Sequence, residues 1–331
     1  MNEIIAENNK TTYLTDFIDK TQIKSINSSH RKDSIISYFE RLPDNLRDDR
    51  IMSSNKKNNL RECGSYLLFR DYYKISKVKL QRANFCGVDK LCSFCASRRA
   101  YKQQIKIEKY FEQNPNILKD NWFYIVLPVK HEINESFETV FNRLRLGLDK
   151  IRFAINNNKN GKGKKSFFSQ FHGLFYSIET TFNHNNGWNV HVNILACSSV
   201  PFDYDLVEKI NHHTGKFSYH SPELSLEWEK YTGSYIHNIS KLNFDSNESI
   251  KKNLLEIFKY SVKFSELWDT QLFEFYEFTQ GKRLIGAMGS FYSLKLDALL
   301  EGDIKLDDDF IDYLYKRFPD DYLVYTYKAQ Q

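Results

Sequence analysis

Three groups of residues in this 331-residue chain have the types and spacing to do chemistry. The first is the run Trp188-Asn189-Val190-His191-Val192-Asn193-Ile194-Leu195. As a strand it sends Asn189, His191 and Asn193 to one face and Val190, Val192 and Ile194 to the other. Upstream, Tyr176-Ser177-Ile178-Glu179-Thr180-Thr181 also alternates, and Phe182 to Gly187 is rich in turn-forming residues. A hairpin with its turn centred near Asn185 puts Glu179 opposite His191 on one face. A carboxylate, an imidazole and an amide oxygen converging there suit an oxygen-loving divalent cation. The alternative is a satisfied polar patch on an exposed sheet face.

The second group is Cys63, Cys86, Cys92 and Cys95, with 22, 5 and 2 residues between them. A Cys-x-x-Cys knuckle joined to two more thiols predicts a tetrahedral zinc site, the alternative being buried, unliganded cysteines. Four protein ligands leave no open position, so this zinc is expected to be structural. Cys197 is expected to be a small core residue. The third group is Glu256-Ile257-Phe258-Lys259-Tyr260-Ser261-Val262-Lys263. On a helix Glu256, Tyr260 and Lys263 share a face. A tyrosine hydroxyl becomes a nucleophile when a cation stabilises its phenolate, and a carboxylate beside it can take a proton. An ordinary amphipathic helix carries the same pattern.

These groups need elements to position them. Phe123 to Leu127 is a continuous apolar run that reads as a buried strand. Asn134 can cap a helix in which Phe137, Val140, Phe141, Leu144, Leu148, Ile151 and Ile155 recur at helical spacing. Asn156 to Lys165 reads as a polar, basic loop, Phe202 to Ile210 as helical, and Tyr235 to His237 as a strand. Ser249 to Trp268 is helical in pattern, and Arg283 to Met288 suggests a last strand. Strand, helix, hairpin and helix in this order predict an α+β layer fold with an antiparallel sheet backed by helices.

Composition sets bounds. There are 47 Lys and Arg against 42 Asp and Glu, a formal charge of +5, which permits an anionic partner without proving one. No apolar run approaches the roughly 20 residues that span a bilayer, and the first residues lack a secretory pattern. A cytoplasmic location without a membrane partner is expected, with cysteines reduced and read first as metal ligands or core residues.

From about Arg61 to Leu294 the chain resembles the plasmid rolling-circle replication initiators (Rep proteins) of the HUH endonuclease superfamily. The resemblance rests on the order Cys63-Gly64, Cys86, Cys92-x-x-Cys95, Arg98-Arg99, Glu179, Gly187-Trp188, His191, Glu256, Tyr260, and then Gly281-Lys282-Arg283 with Gly289. It implies an HUH-type, ferredoxin/RRM-like antiparallel sheet with a cysteine-rich, zinc-clamped N-terminal part. Taken with the composition along the chain, the expected division is a polar, partly helical segment (1–55), a cysteine-rich zinc-binding region (56–115), a nicking and strand-transfer domain (116–298) implied by the resemblance, and an acidic, aromatic tail (299–331).

The resemblance further implies a metal-dependent endonuclease. Tyr260 would be the nucleophile, Lys263 an accessory lysine, and Glu256 the carboxylate that activates water for the terminating cleavage. Glu179 and His191 would hold the divalent ion with Asn193 beside them. Asn189 and Asn193 stand where the family motif carries histidines, and neutral Asn193 favours Mg²⁺ or Mn²⁺ over softer metals. The implied partners are origin DNA, single-stranded at the nick, and a host helicase and polymerase. Arg98, Arg99, Lys162, Lys164 and Lys165 are candidate phosphate contacts. Two rival readings are a nucleic-acid-binding protein that kept the fold but not the chemistry, and a zinc-containing RNA-binding protein.

Overall fold

The computed structural model describes residues 3–6, 10–13, 32–44, 52–63, 67–72, 77–159, 166–199, 206–210, 217–244, 249–250, 254, 267 and 269–294. They fall into two compact units, one within Met1–Tyr101 and the other within Lys102–Leu300.

The first unit holds two small antiparallel pairs. β1 (Glu3–Ala6) pairs with β2 (Lys10–Tyr13), and β3 (Leu67–Tyr72) with β4 (Lys77–Ala83). α1 (residues 32–41) buries Ile35, Ile36 and Phe39. In α2 (Ser54–Glu62), Ser53 caps the N-terminus by accepting from the Lys56 amide, and Cys63 stands at the C-cap. α3 (Ser93–Gln113) opens with Cys95 in its first turn, and the boundary between the units falls within it.

The second unit is built on a seven-stranded, wholly antiparallel sheet. Its strands are β5 (Asn121–Pro128), β6 (Gly173–Asn183), β7 (Gly187–Ser198), β8 (Val207–Ile210), β9 (Phe217–His220), β10 (Asn238–Leu242) and β11 (Ile285–Gly289), and their order is β11-β6-β7-β5-β10-β9-β8. Its described helices include α4 (Phe137–Lys159), α5 (Pro222–Thr232) and α6 (Asp269–Thr279). This is the α+β architecture the pattern predicts, with the expected hairpin as the second and third strands of the sheet.

The two sheet faces differ in what covers them. Val190, Val192 and Ile194 look toward the helical layer with Ile125, Leu127 and Ile178, all buried. α4 and α6 are keyed to β7 by aromatic contacts: Phe137 lies 4.8 Å from Trp188 and 5.3 Å from Phe275 between ring centroids. α5 packs on α4 where Gly147 leaves room for the Trp228 indole, whose Nε1 donates to the Pro128 carbonyl at 2.7 Å. On the opposite face, Trp122, Phe175, Leu195 and Cys197 form one cluster with Ile107 and Phe111 of α3, Ile250, Leu254 and Phe291. The Phe175 and Phe291 rings stack at 4.5 Å, with Trp122 stacked 5.8 Å from Phe291.

Several boundaries differ from the pattern. Ser136, not Asn134, caps α4, its Oγ accepting from the Thr139 amide at 3.2 Å. α4 also continues through Asn156 to Lys159, because Ile155 is still buried at its inner edge. Residues 207–210 form an edge strand where a helix was expected, pairing with β9. The strand expected at Tyr235–His237 lies just beyond, at Asn238–Leu242, where pairing with β5 fixes it.

Candidate active site and cysteine cluster

The hairpin forms in the expected register. Asn183 pairs with Gly187 across the turn, and Glu179 pairs with His191. The Asn183 side chain accepts from the Asn185 amide at 2.8 Å, and Gly187 takes a φ of 76°, which closes the turn without strain. Glu179, His191 and Asn193 thus share the face that carries the aromatic cluster further along the same strands.

Their geometry is compact. Glu179 is only 8% exposed, its Oε2 lies 3.3 Å from His191 Nε2, and it accepts from Asn193 Nδ2 at 3.2 Å. Tyr124, on β5, donates its hydroxyl to Asn193 Oδ1 at 2.9 Å. Asn193 therefore turns its amide nitrogen, not its oxygen, toward Glu179. A half-turn of that amide exchanges the two ends, with the tyrosine hydroxyl able to accept instead of donate. Asn189 lies on the same face, opposite Thr181. A carboxylate and an imidazole on adjacent strands, with an amide oxygen one side-chain rotation away, could hold a divalent cation whose remaining positions are water. His184 sits in the exposed turn against Phe182, away from this group.

The four cysteines of the first unit come together. Cys63 Sγ lies 3.6 Å from Cys95 Sγ and 3.5 Å from Cys92 Sγ, and Cys86 Sγ lies 3.5 Å from Cys95 Sγ. Four sulfurs at about 2.3 Å from a tetrahedral zinc stand about 3.8 Å apart, so the cluster needs only a slight expansion to hold the ion. Thiol–thiol hydrogen bonds pull Cys63 and Cys92 below the ordinary thiol value, Cys92 with help from Lys32, and push Cys86 and Cys95 above it. A zinc ion would take the place of the shared protons and hold all four sulfurs as thiolates.

The two arginines after the knuckle have partners within the unit. Arg98 lays its guanidinium 3.9 Å from the Phe85 ring centre, and Arg99 pairs with Asp89 at 2.6 Å. They brace the loop that carries Cys86. Glu256, Tyr260, Lys263, Lys162, Lys164 and Lys165 lie outside the described residues. Leu254, just before Glu256, is fully buried in the aromatic cluster.

Sequence reasoning missed a basic cleft of about 790 Å³ between α4 and β11, lined by Arg145, Arg152, Lys282 and Arg283 with Asp149. The signal was present in Gly281-Lys282-Arg283, but the α4 arginines are solvent-facing helix positions that no pattern singles out. Among the described residues, no helix is long and apolar enough to cross a membrane.

No protein-family model and no solved structure matches the chain. A search of curated proteins finds likeness to "Protein rep" of Staphylococcus aureus, 24% identical over 220 residues, which covers 66% of this chain and 86% of the relative. That span cannot be accommodated without most of the second unit, the part that carries the Glu179–His191 hairpin. The chain is a distant relative of the plasmid Rep family.

Proposed function

We propose that the protein is a plasmid replication initiator that binds origin DNA and nicks it through Tyr260. The observation that carries this reading is the pairing of Glu179 with His191 on one sheet face, in a chain related to a Rep protein. Leu254 supports it, because it precedes Glu256 by two residues in the sequence and is buried in the aromatic cluster of that same face. Tyr260 is six residues further on, a reach of at most about 20 Å.

In the proposed reaction the Tyr260 phenolate oxygen attacks the scissile phosphorus, and the bond to the 3′ oxygen breaks. The products are a 5′-phosphotyrosine and a strand end whose 3′ oxygen takes a proton and serves as primer. Lys263 stabilises the phenolate. Glu256 takes a proton from water in the terminating step, so one tyrosine suffices. A divalent ion, Mg²⁺ or Mn²⁺, held by Glu179, His191 and Asn193 would supply polarisation of the phosphate. The cleft with Arg145, Arg152, Lys282 and Arg283 is proposed phosphate-contacting surface, and Lys162, Lys164, Lys165, Arg98 and Arg99 are separate candidate phosphate contacts. A zinc ion on the four cysteines clamps the first unit. A host helicase and polymerase would act on the nicked product.

The test is incubation with single-stranded oligonucleotides spanning the origin, with Mg²⁺ or Mn²⁺, read on a denaturing gel. A covalent adduct is expected, absent in Tyr260→Phe and formed but not released in Glu256→Ala. An adduct that survives Tyr260→Phe, or none on any origin sequence, overturns the nicking reading. Retained origin binding would then favour a DNA-binding protein without the chemistry, a reading to which the amide orientation of Asn193 lends support.

A further inference from the structure

At the other end of the hairpin, three donors from separate segments meet. His172 Nε2 lies 3.2 Å from Asp120 Oδ2, Cys197 Sγ lies 3.6 Å from the same oxygen, and all three ligand atoms fall within 4.8 Å of one another. Asp120 immediately precedes β5, His172 precedes β6 and Cys197 is near the end of β7. Counting along β7, this cluster is about 20 Å from His191.

We propose that Asp120, His172 and Cys197 form a second metal site, for a borderline-soft divalent ion of the zinc type, with the fourth position open to water. The inference does not depend on the replication reading. Tetrahedral zinc with nitrogen and carboxylate oxygen at about 2.0 Å and sulfur at about 2.3 Å sets these donors about 3.3 Å (N to O) and 3.5 Å (S to O) apart. The observed 3.2 and 3.6 Å match both separations. A mixed sulfur, nitrogen and oxygen set selects zinc over the hard cations suited to Glu179 and His191.

The surroundings also fit. The other imidazole nitrogen of His172, Nδ1, is 2.8 Å from Ser290 Oγ, and with Nδ1 donating there Nε2 would present its lone pair to a bound ion. An outer hydrogen bond of this kind holds a ligating histidine in one tautomer and one orientation. Ser290 is itself fixed, because its amide donates to the His172 carbonyl at 2.9 Å. The His172 amide in turn donates to the Cys197 carbonyl at 3.1 Å, tying two ligands together through the backbone. Gly289, at φ 65°, permits this approach, since a Cβ there would come 2.3 Å from the His172 carbonyl oxygen. Cys197 is fully buried, while the His172 and Asp120 side chains keep 31% and 24% exposure, which places the open position on their side. An ion there pins the entries of β5 and β6, the end of β7 and the turn after β11 to one point.

The test is elemental analysis of the full chain, loaded with Zn²⁺ and cleared over a chelating resin. About two zinc ions per chain are expected. Cys197→Ala and His172→Ala should each lose about one, and Asp120→Asn gives the same loss with little change of shape. Zinc absorption spectroscopy should read mixed sulfur and nitrogen or oxygen ligands in the wild type, and sulfur alone in Cys197→Ala. His191→Ala should leave the count unchanged. An unchanged count in Cys197→Ala and Asp120→Asn, a sulfur-only shell in the wild type, or loss of the second zinc in His191→Ala overturns the proposal. Loss of a single wild-type zinc in Cys197→Ala would instead uphold this site and remove the four-cysteine one.

Discussion

Glu179→Gln is the most discriminating single change, because it keeps the shape of the side chain and removes its charge. The native carboxylate, 8% exposed, has His191 Nε2 at 3.3 Å and the Asn193 amide at 3.2 Å. Glutamine can still accept from Asn193, so folding loses one charge-assisted contact, on the order of 1–2 kcal/mol. In a unit of this size each kcal/mol moves Tm by about 2–4 °C, so the variant should melt a few degrees lower. The metal-linked part is separate. Mn²⁺ at ten times its dissociation constant stabilises the folded state by about 1.4 kcal/mol, or roughly 3–6 °C. Melting of the zinc-loaded protein across a MnCl₂ series at constant ionic strength should therefore show a rise in the wild type. Glu179→Gln and His191→Ala should show none. If Glu179→Gln keeps the full Mn²⁺-dependent rise, Glu179 holds no cation, and the sheet face is a hydrogen-bonded polar patch.

Three further outcomes test the packing and the cysteine cluster. Phe291→Ala removes a ring stacked on Phe175 at 4.5 Å and fully buried, and should cost about 3–5 kcal/mol in urea unfolding. Gly147→Ala sets a methyl 2.5 Å from the Trp228 ring, so overpacking of about 1–3 kcal/mol is expected, read as a lower Tm and altered tryptophan fluorescence. Removing zinc with a chelator, or Cys92→Ala, should raise hydrogen exchange in α2 and the first turn of α3, and protection unchanged in both would separate the cysteines from any metal. Arg143 holds the Glu135 carboxyl below the ordinary carboxylate range through their hydrogen bond at 2.5 Å. That pair contributes at most about 1 kcal/mol above the unfolded carboxylate pKa near 4.3, and the contribution is lost as pH falls through the lower folded value. The stability gap between wild type and Arg143→Ala should accordingly be present at neutral pH and close in acid.

The central hairpin was legible because period-two alternation and a turn-rich spacer act over adjacent residues, and together they place Glu179 opposite His191. The cysteine cluster was legible for a different reason: thiols at knuckle spacing have few other uses in one short region. β10 was misplaced by three residues, since Asn238–Leu242 is a short strand of mixed polarity whose position is set by pairing with β5. α5 and α6 were not anticipated. α5 carried its signals, Ser221 and Pro222 at the start and Gly233 at the end, but its apolar positions are sparse. The Asp120, His172 and Cys197 group was invisible for a topological reason. Its members are 52 and 25 residues apart and are joined only by the sheet.

The aromatic cluster and the polar group stand on the same face of the same two strands, and this has a consequence for the site. Strand side chains alternate, so a slip of one residue between β6 and β7 would turn one strand's set over to the layer under α4. Glu179 or His191 would then meet the apolar layer under α4 without its partner. An unpaired buried charge costs several kcal/mol. Phe175 on β6, stacked with Phe291 at the far end, and Leu195 and Cys197 on β7 resist the same slip because they would leave a filled cluster. The apolar end thus fixes the register and the polar end inherits it. A polar group can then rest on a floor whose stability comes from elsewhere on the strand. This is why Glu179, His191 and Asn193 remain in contact.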